Sequence, residues 1–257
     1  MPFAPVNSIE LYYESHGEGP AVVFAHGRGG NHLSWWQQVP FFRERYRCIT
    51  FDHREFGQSK ETPGGPGRAG FVDDLRCLLD HIGIDRTYLV GQSMGGGTVL
   101  GFALRYPQRV LGLVLADTPA GIAEEDMLRD FRARAPSLPE DASVRAQSER
   151  FRRSDPAKAF LYYEIGLLSK PVRETFVQYI TATDGPTASD LADFRVPTLV
   201  IVGREDIVVT PDNAAMVCRH IPGARLAVVE EAGHSVYWEK PQEFNKLVGS
   251  FFETIKA

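Results

Sequence analysis

The sequence predicts an α/β fold: a doubly wound, mostly parallel sheet with an inserted helical cap. Three observations carry that expectation. Short apolar runs recur along the chain and each stops at a turn-forming residue; stretches with helical spacing lie between them; and one long segment, 121–193, breaks the alternation.

The apolar runs are Ala21 to Ala25, Cys48 to Phe51, Tyr88 to Val90, Leu111 to Ala116, Thr198 to Val202 and Leu226 to Val229. Most are continuously apolar, as expected of strands whose two faces are both covered by helices. Phe71, Leu75, Leu78, Leu79 and Ile82 keep one helical face, and Gly83 follows as a stop. Val99, Phe102, Ala103 and Tyr106 repeat the pattern until Pro107, and a last helix is expected from Pro241 to Ile255, with Phe244, Leu247, Val248, Phe251 and Phe252 inward. The segment 121–193 has no strand-like run, is rich in Glu, Arg and Ala, and is punctuated by Pro136, Pro139, Pro156, Pro171 and Pro186. It is far longer than one crossover requires, so it reads as several short helices forming a cap, with 1–120 and 194–257 as the core.

Length and composition bound the function. A chain of 257 residues, 43% hydrophobic and 24% charged, can bury the core of one large domain. A net charge of -5, with no long Lys/Arg cluster, argues against a nucleic-acid partner. Cys48, Cys77 and Cys218 are widely spaced with no CxxC pair, so buried thiols in a reducing compartment are expected, without a metal site. The N-terminus lacks a basic stretch leading into an apolar one, and no run reaches membrane-spanning length. A soluble cytoplasmic protein is therefore expected.

The chemistry centres on Gly91-Gln92-Ser93-Met94-Gly95. Chance produces such a G-x-S-x-G in roughly one chain in ten of this composition, but here it follows the strand at Tyr88 and opens the helix around Val99. Ser93 must sit on a sharp, strained turn, which leaves no room for bulky neighbours two residues away. A phosphate-binding loop is the weaker alternative, since no Lys follows the glycines.

A serine hydroxyl needs a base, and that base needs an orienting acid. Of seven histidines, His234 stands just beyond the last strand and after Ser93 in chain order, whereas His26 reads as a structural loop residue. Asp206, beyond the strand Thr198 to Val202, is the preferred acid; Asp117 is its rival and Glu205 a weaker one. The glycine loop His26-Gly27-Arg28-Gly29-Gly30 follows the first core strand, making the backbone N–H groups of Arg28 and Met94 the candidate oxyanion donors. Cap and loop aromatics, including Trp35, Trp36, Phe131, Phe151, Phe160, Tyr162, Tyr163, Phe176, Tyr179, Tyr237 and Trp238, are the candidate substrate contacts, with Trp35, Tyr163 and Tyr237 foremost.

With these motifs in place the chain resembles the α/β-hydrolase superfamily, in particular its small capped bacterial esterases, enol-lactonases and cofactor-free haloperoxidases. The resemblance covers the chain outside the cap: HG-x-G-G at His26, D-x-R-x-x-G-x-S from Asp52 to Ser59, the elbow at Ser93, G-x-x-D at Asp206 and the terminal GH at His234. It implies Ser93 as nucleophile, His234 as base, Asp206 as acid, Arg28 and Met94 as oxyanion donors, no cofactor, and a small-molecule ester or lactone as substrate. Carbon–carbon bond hydrolysis, perhydrolysis and acyl transfer use the same triad and stay open, as does a non-catalytic receptor on the same fold. Oligomeric state is left open. One departure is Glu55, where the family usually has Gly, which puts the shape of the turn after Asp52 in question.

Overall fold

A computed structural model describes residues 2–169, 178 and 182–255 of the chain; Pro171, Phe176 and Tyr179 lie outside them. The chain opens with two strands absent from the expected list, β1 (Phe3–Val6) and β2 (Ile9–His16), paired antiparallel with Val6 opposite Ile9. Asn7 and Ser8 both take positive φ, 41° and 66°, the twist that a two-residue hairpin turn requires. Neither strand is a continuous apolar run: buried Ala4, Val6, Ile9 and Leu11 alternate with exposed neighbours because one face of the hairpin meets solvent.

The remaining strands are β3 (Ala21–Ala25), β4 (Arg47–Phe51), β5 (Thr87–Gln92), β6 (Val110–Ala116), β7 (Thr198–Gly203) and β8 (Arg225–Val229), in the sheet order β1-β2-β4-β3-β5-β6-β7-β8. From β4 to β8 all pairings are parallel, while β2 joins β4 antiparallel. The expected runs match these strands to within a residue or two. β8 is the exception in burial, since it forms an edge and exposes Leu226.

Alternate residues of each strand feed two separate layers. Val23, Leu89, Leu113 and Val200 pack against α2 (Phe71–His81), α3 (Met94–Arg105) and α9 (Pro211–His220) through Leu75, Leu79, Phe102 and Val217. Val22, Val90, Val114 and Ile201 face the opposite layer, where α1 (Val39–Phe42), α10 (Val236–Glu239) and α11 (Pro241–Glu253) contribute Phe42, Trp238, Phe244 and Phe252. Two covered faces explain why the central strands carry no polar alternation. Helix α2 ends before Gly83, whose φ of +67° supplies the left-handed stop.

Between β6 and β7 the described chain is helical: α4 (Glu125–Arg134), α5 (Ala142–Ala146), α6 (Glu149–Ser154), α7 (Pro156–Leu167) and α8 (Ala188–Leu191). Asp141, Ser148 and Asp155 start the middle three by accepting from the backbone N–H of Ser143, Phe151 and Lys158.

The turn after β4 is fastened by Arg54. Its buried guanidinium forks onto Asp74 of α2 through Nε and Nη2, both at 2.6 Å, and reaches Glu61 at 2.8 Å. Glu55 in this turn has φ +73°, so the backbone keeps the left-handed shape that glycine would adopt more cheaply. The cysteines are free thiols, but only Cys48 is buried; Cys77 and Cys218 are partly exposed, on helix faces that the apolar layers do not fully cover. Among the described residues no helix is long and apolar enough to cross a membrane.

Candidate active site

Ser93 links β5 to α3 with φ +48° and ψ -114°, a conformation that costs a non-glycine residue about 1 to 3 kcal/mol. The surrounding glycines make the turn possible. A Cβ on Gly95 would lie 2.2 Å from the carbonyl oxygen of Ala25, one on Gly91 2.6 Å from that of Gly95, and one on Gly96 2.3 Å from Thr118 Oγ1. Three hydrogen bonds hold the elbow: Ser93 N–H donates to Ala116 O at 3.0 Å, Gly96 N–H to Ser93 O at 3.0 Å and Thr118 Oγ1 to Ser93 O at 2.6 Å. The result is a half-buried hydroxyl at the C-terminal edge of the sheet.

His234 and Asp206 arrive from the loops after β8 and β7. His234 Nε2 lies 3.0 Å from Ser93 Oγ, and His234 Nδ1 lies 2.8 Å from Asp206 Oδ2. Asp206 Oδ1 accepts from the N–H groups of Val208 and Val209 at 2.8 and 2.9 Å, which fixes the carboxylate plane. Gln92, the residue before the serine, donates from Nε2 to the His234 carbonyl at 2.9 Å. Burial pushes the His234 ring toward its neutral form, but the charge and hydrogen bond of Asp206, helped by Asp117 and Glu239, outweigh it and hold the pKa above the usual 6.5.

The rival acids are otherwise engaged. Asp117, wholly buried at the end of β6, accepts from Gly203 N–H at 3.1 Å and Val236 N–H at 3.0 Å, and so braces the loops that carry Asp206 and His234. Burial, with the Asp206 charge nearby, raises its carboxyl well above the usual carboxylate range. Glu205 is partly exposed and reaches Arg150 at 3.4 Å. His26 is structural: Nδ1 lies 2.7 Å from Gly27 O, Nε2 accepts from His53 N–H at 3.0 Å, and burial lowers its pKa to about 4.

The glycine loop after β3 passes directly against the elbow, since a Cβ on Gly27 would lie 2.1 Å from Gln92 Oε1 and 3.2 Å from Ser93 Cβ. Arg28 follows in that loop, and Met94 is the first residue of α3, where backbone N–H groups have no acceptor within the helix. His32, just beyond the loop, anchors it to Asp52 at the end of β4, with N–H and Nδ1 at 2.6 and 2.8 Å from Asp52 Oδ1.

The three foremost aromatics do not share one environment. Trp35 and Tyr237 are buried in the core, 4.7 Å apart between ring centroids, with Phe24 and Phe244 beside Trp35. Their bulk is consumed by packing, so their expected role as substrate contacts has no support in their placement. Tyr163 is 47% exposed on α7. Tyr162, one residue earlier, is the one that turns inward, receiving a hydrogen bond from Ser235 Oγ at 3.2 Å beside His234.

Sequence reading also missed the ties between the helical insertion and the site. Glu239 accepts from Ser148 Oγ at 2.6 Å and from Gly233 N–H at 3.1 Å, joining the start of α6 to the His234 turn. Asn31 Nδ2 donates to Ile165 O of α7 at 2.9 Å, and Ser169 Oγ donates to Gly30 O at 2.8 Å. Asn31 also caps the helical turn His32–Trp35, and the spacing Asn31-x-x-Ser34 is a helix-start signal readable in the sequence; a lone Glu after Tyr237-Trp238 gives no comparable sign. A groove of about 640 Å³ opens at the opposite edge of the sheet, lined by Ala103, Pro107, Val110, Phe194, Pro197 and Ile255, far from this chemistry.

Comparison with known proteins agrees with this architecture. A family model described as the alpha/beta hydrolase fold matches residues 20–241. The chain is 32% identical to the 3-oxoadipate enol-lactonase 2 of Acinetobacter baylyi, over 93% of this chain and 92% of that one. It is 30% identical to the 2-hydroxy-6-oxo-6-phenylhexa-2,4-dienoate hydrolase of Comamonas testosteroni, over 94% and 90% respectively. Among solved structures, a thermophilic esterase from Thermogutta terrifontis superposes with a TM-score of 0.81 at 25% identity, covering 99% of this chain and 98% of that one.

Proposed function

The chain belongs to the α/β-hydrolase fold family, and from that membership we propose that it hydrolyses a carboxylic ester or lactone through an acyl-enzyme on Ser93. The observation that carries the reading is the unbroken line of contacts from Asp206 through His234 to Ser93, at 2.8 and 3.0 Å, with the serine held on a strained elbow. Ser93 Oγ attacks the acyl carbon as its proton passes to His234 Nε2. Asp206 keeps the ring oriented and stabilises the imidazolium. The negative oxygen of the tetrahedral intermediate is received by the N–H groups of Arg28 and Met94, a donor pair of a kind in which each member is worth about 10² to 10³ in rate. His234 then protonates the leaving alkoxide. Water, deprotonated by the same ring, releases the acid and restores the Ser93 hydroxyl.

The described helices of the insertion 121–193, α4 to α8, act in this reading as a cap, tied to the core through Asn31, Glu239 and Tyr162. The named activities of the enol-lactonase and esterase relatives support ester or lactone chemistry. Carbon–carbon bond hydrolysis is the second reading, favoured by the similarity to the dienoate hydrolase. A panel of aryl esters, lactones and vinylogous diketones, run with the parent protein and Ser93→Ala, separates the two. Turnover of esters or lactones, lost in the variant, is expected. Turnover of the diketones alone moves the assignment to the second reading, and unchanged turnover in Ser93→Ala removes the serine mechanism.

A further inference from the structure

Glu239 is the last residue of α10 and only 7% exposed, and the relay of Asp206, His234 and Ser93 makes no direct use of it. Three donors converge on its carboxylate. Gly233 N–H reaches Oε1 at 3.1 Å, Ser148 N lies 3.2 Å from both oxygens, and Ser148 Oγ reaches Oε2 at 2.6 Å. Ser148 Oγ also accepts from Phe151 N–H at 3.1 Å, so its own proton is the one given to Glu239. Hydrogen bonds to an ionised carboxylate are stronger than neutral ones, and here they join two parts of the chain: the start of α6 and the residue immediately before His234.

His234 sits in a segment held from two directions. From the core, Gln92 Nε2 donates to the His234 carbonyl at 2.9 Å and Asp117 accepts from Val236 N–H at 3.0 Å. From the insertion, Ser148 is tied to Gly233 through Glu239, and Tyr162 of α7 accepts from Ser235 Oγ at 3.2 Å. Both neighbours of the base, Gly233 and Ser235, are thus fastened to the helical insertion. The contact at Gly233 is close: a Cβ there would lie 2.6 Å from Ser148 N and 3.1 Å from the Gln147 carbonyl carbon, so glycine lets the two backbones meet. The imidazole has to keep 2.8 Å to Asp206 and 3.0 Å to Ser93 at once. A misplacement of about 1 Å in such a site can cost about 10² in rate.

We propose that Glu239 is a positioning residue for the general base: by holding Gly233 and Ser148 on one carboxylate, it makes the placement of the His234 ring depend on the seating of α6. The proposal rests on the hydrolase reading of Ser93 and His234. Loosening of the insertion at Ser148 then slows the chemical step itself, beyond any effect on substrate affinity.

The test compares the parent protein with Glu239→Met, Glu239→Gln and Ser148→Ala. Methionine matches the length of glutamate but offers only a weak acceptor, whereas the glutamine oxygen still accepts from Gly233 and Ser148 N–H. Glu239→Met is expected to lower kcat for an aryl ester about 10- to 100-fold with KM within about threefold, and to slow labelling by a small alkyl fluorophosphonate in the same proportion. Glu239→Gln, the conservative change, is expected to bring kcat back to within about fivefold of the parent. Ser148→Ala alters the insertion alone, and amide hydrogen exchange in peptides spanning 230–236 is expected to quicken at least about threefold. That readout needs no turnover, and it decides the matter if Glu239→Met does not fold. A kcat for Glu239→Met within about threefold of the parent, a loss confined to KM, Glu239→Gln as slow as Glu239→Met, or unchanged exchange across 230–236 in Ser148→Ala overturns the proposal. Failure of the parent to cleave any ester or take the label strikes the hydrolase reading instead, and the exchange result still decides whether the insertion holds the His234 turn.

Discussion

Asp206 and Asp117 are both buried acids beside His234, yet the geometry assigns them different work. In Asp206→Asn the new amide faces an imidazole nitrogen 2.8 Å away. An NH₂ group there cannot accept the Nδ1 proton, so it favours the tautomer that places the proton on Nε2, where Ser93 needs an acceptor. Loss of the correct tautomer in an intact triad costs about 10⁴ in kcat, equivalent to about 5 kcal/mol of transition-state stabilisation. Asp117→Asn touches only the N–H groups of Gly203 and Val236. One amide oxygen retains one of those bonds and the other is lost, which costs about 1 to 3 kcal/mol of stability and less than tenfold in rate. Steady-state hydrolysis of an aryl ester, with circular dichroism to confirm folding, measures both. Asp206→Asn within tenfold of the parent, or Asp117→Asn falling as far as Asp206→Asn, would refute the assignment of the acid.

Because Asp206 overcomes burial to raise the His234 pKa, the acid limb of kcat/KM, which reports the free enzyme, is expected to have its midpoint above 6.5. Activity is lost as pH falls through that value and the ring gains a proton; a midpoint below 6.5 would contradict the electrostatic account. The residual activity of Asp206→Asn should carry a midpoint shifted downward, since the chief raising influence is gone. At the elbow, Gly95→Ala drives a Cβ to within 2.2 Å of Ala25 O, a backbone atom of a buried strand, and should cost about 3 kcal/mol, or roughly 6 to 12 °C in Tm. Gly29→Ala meets nothing within 4 Å and should move Tm by less than about 2 °C; melting curves of the two variants side by side test whether space or glycine content sets the requirement.

The central sheet was legible in the sequence because β3, β5, β6 and β7 are covered on both faces and had to be written as unbroken apolar runs. The hairpin of β1 and β2 was not, since one wet face dilutes its pattern and Asn7-Ser8 makes its turn without glycine. Ser93, His234 and Asp206 were readable as a set because each stands just past a strand end and the sheet topology brings those ends together. The burial of Trp35 and Tyr237 was not legible for a physical reason: an aromatic beside a motif looks the same in sequence whether it lines a site or fills the layer beneath it. Glu239 was invisible, since its role depends on how the start of α6 packs onto the His234 turn, a long-range contact that no local spacing encodes.

The most direct test of the account is covalent labelling by an aryl or alkyl fluorophosphonate followed by intact-mass and peptide analysis. One adduct per chain is expected, on the peptide containing Ser93, formed by the parent protein, absent in Ser93→Ala and strongly slowed in His234→Ala. No adduct on the folded parent protein, or an adduct on a different residue, would contradict the assignment of Ser93 as an activated nucleophile.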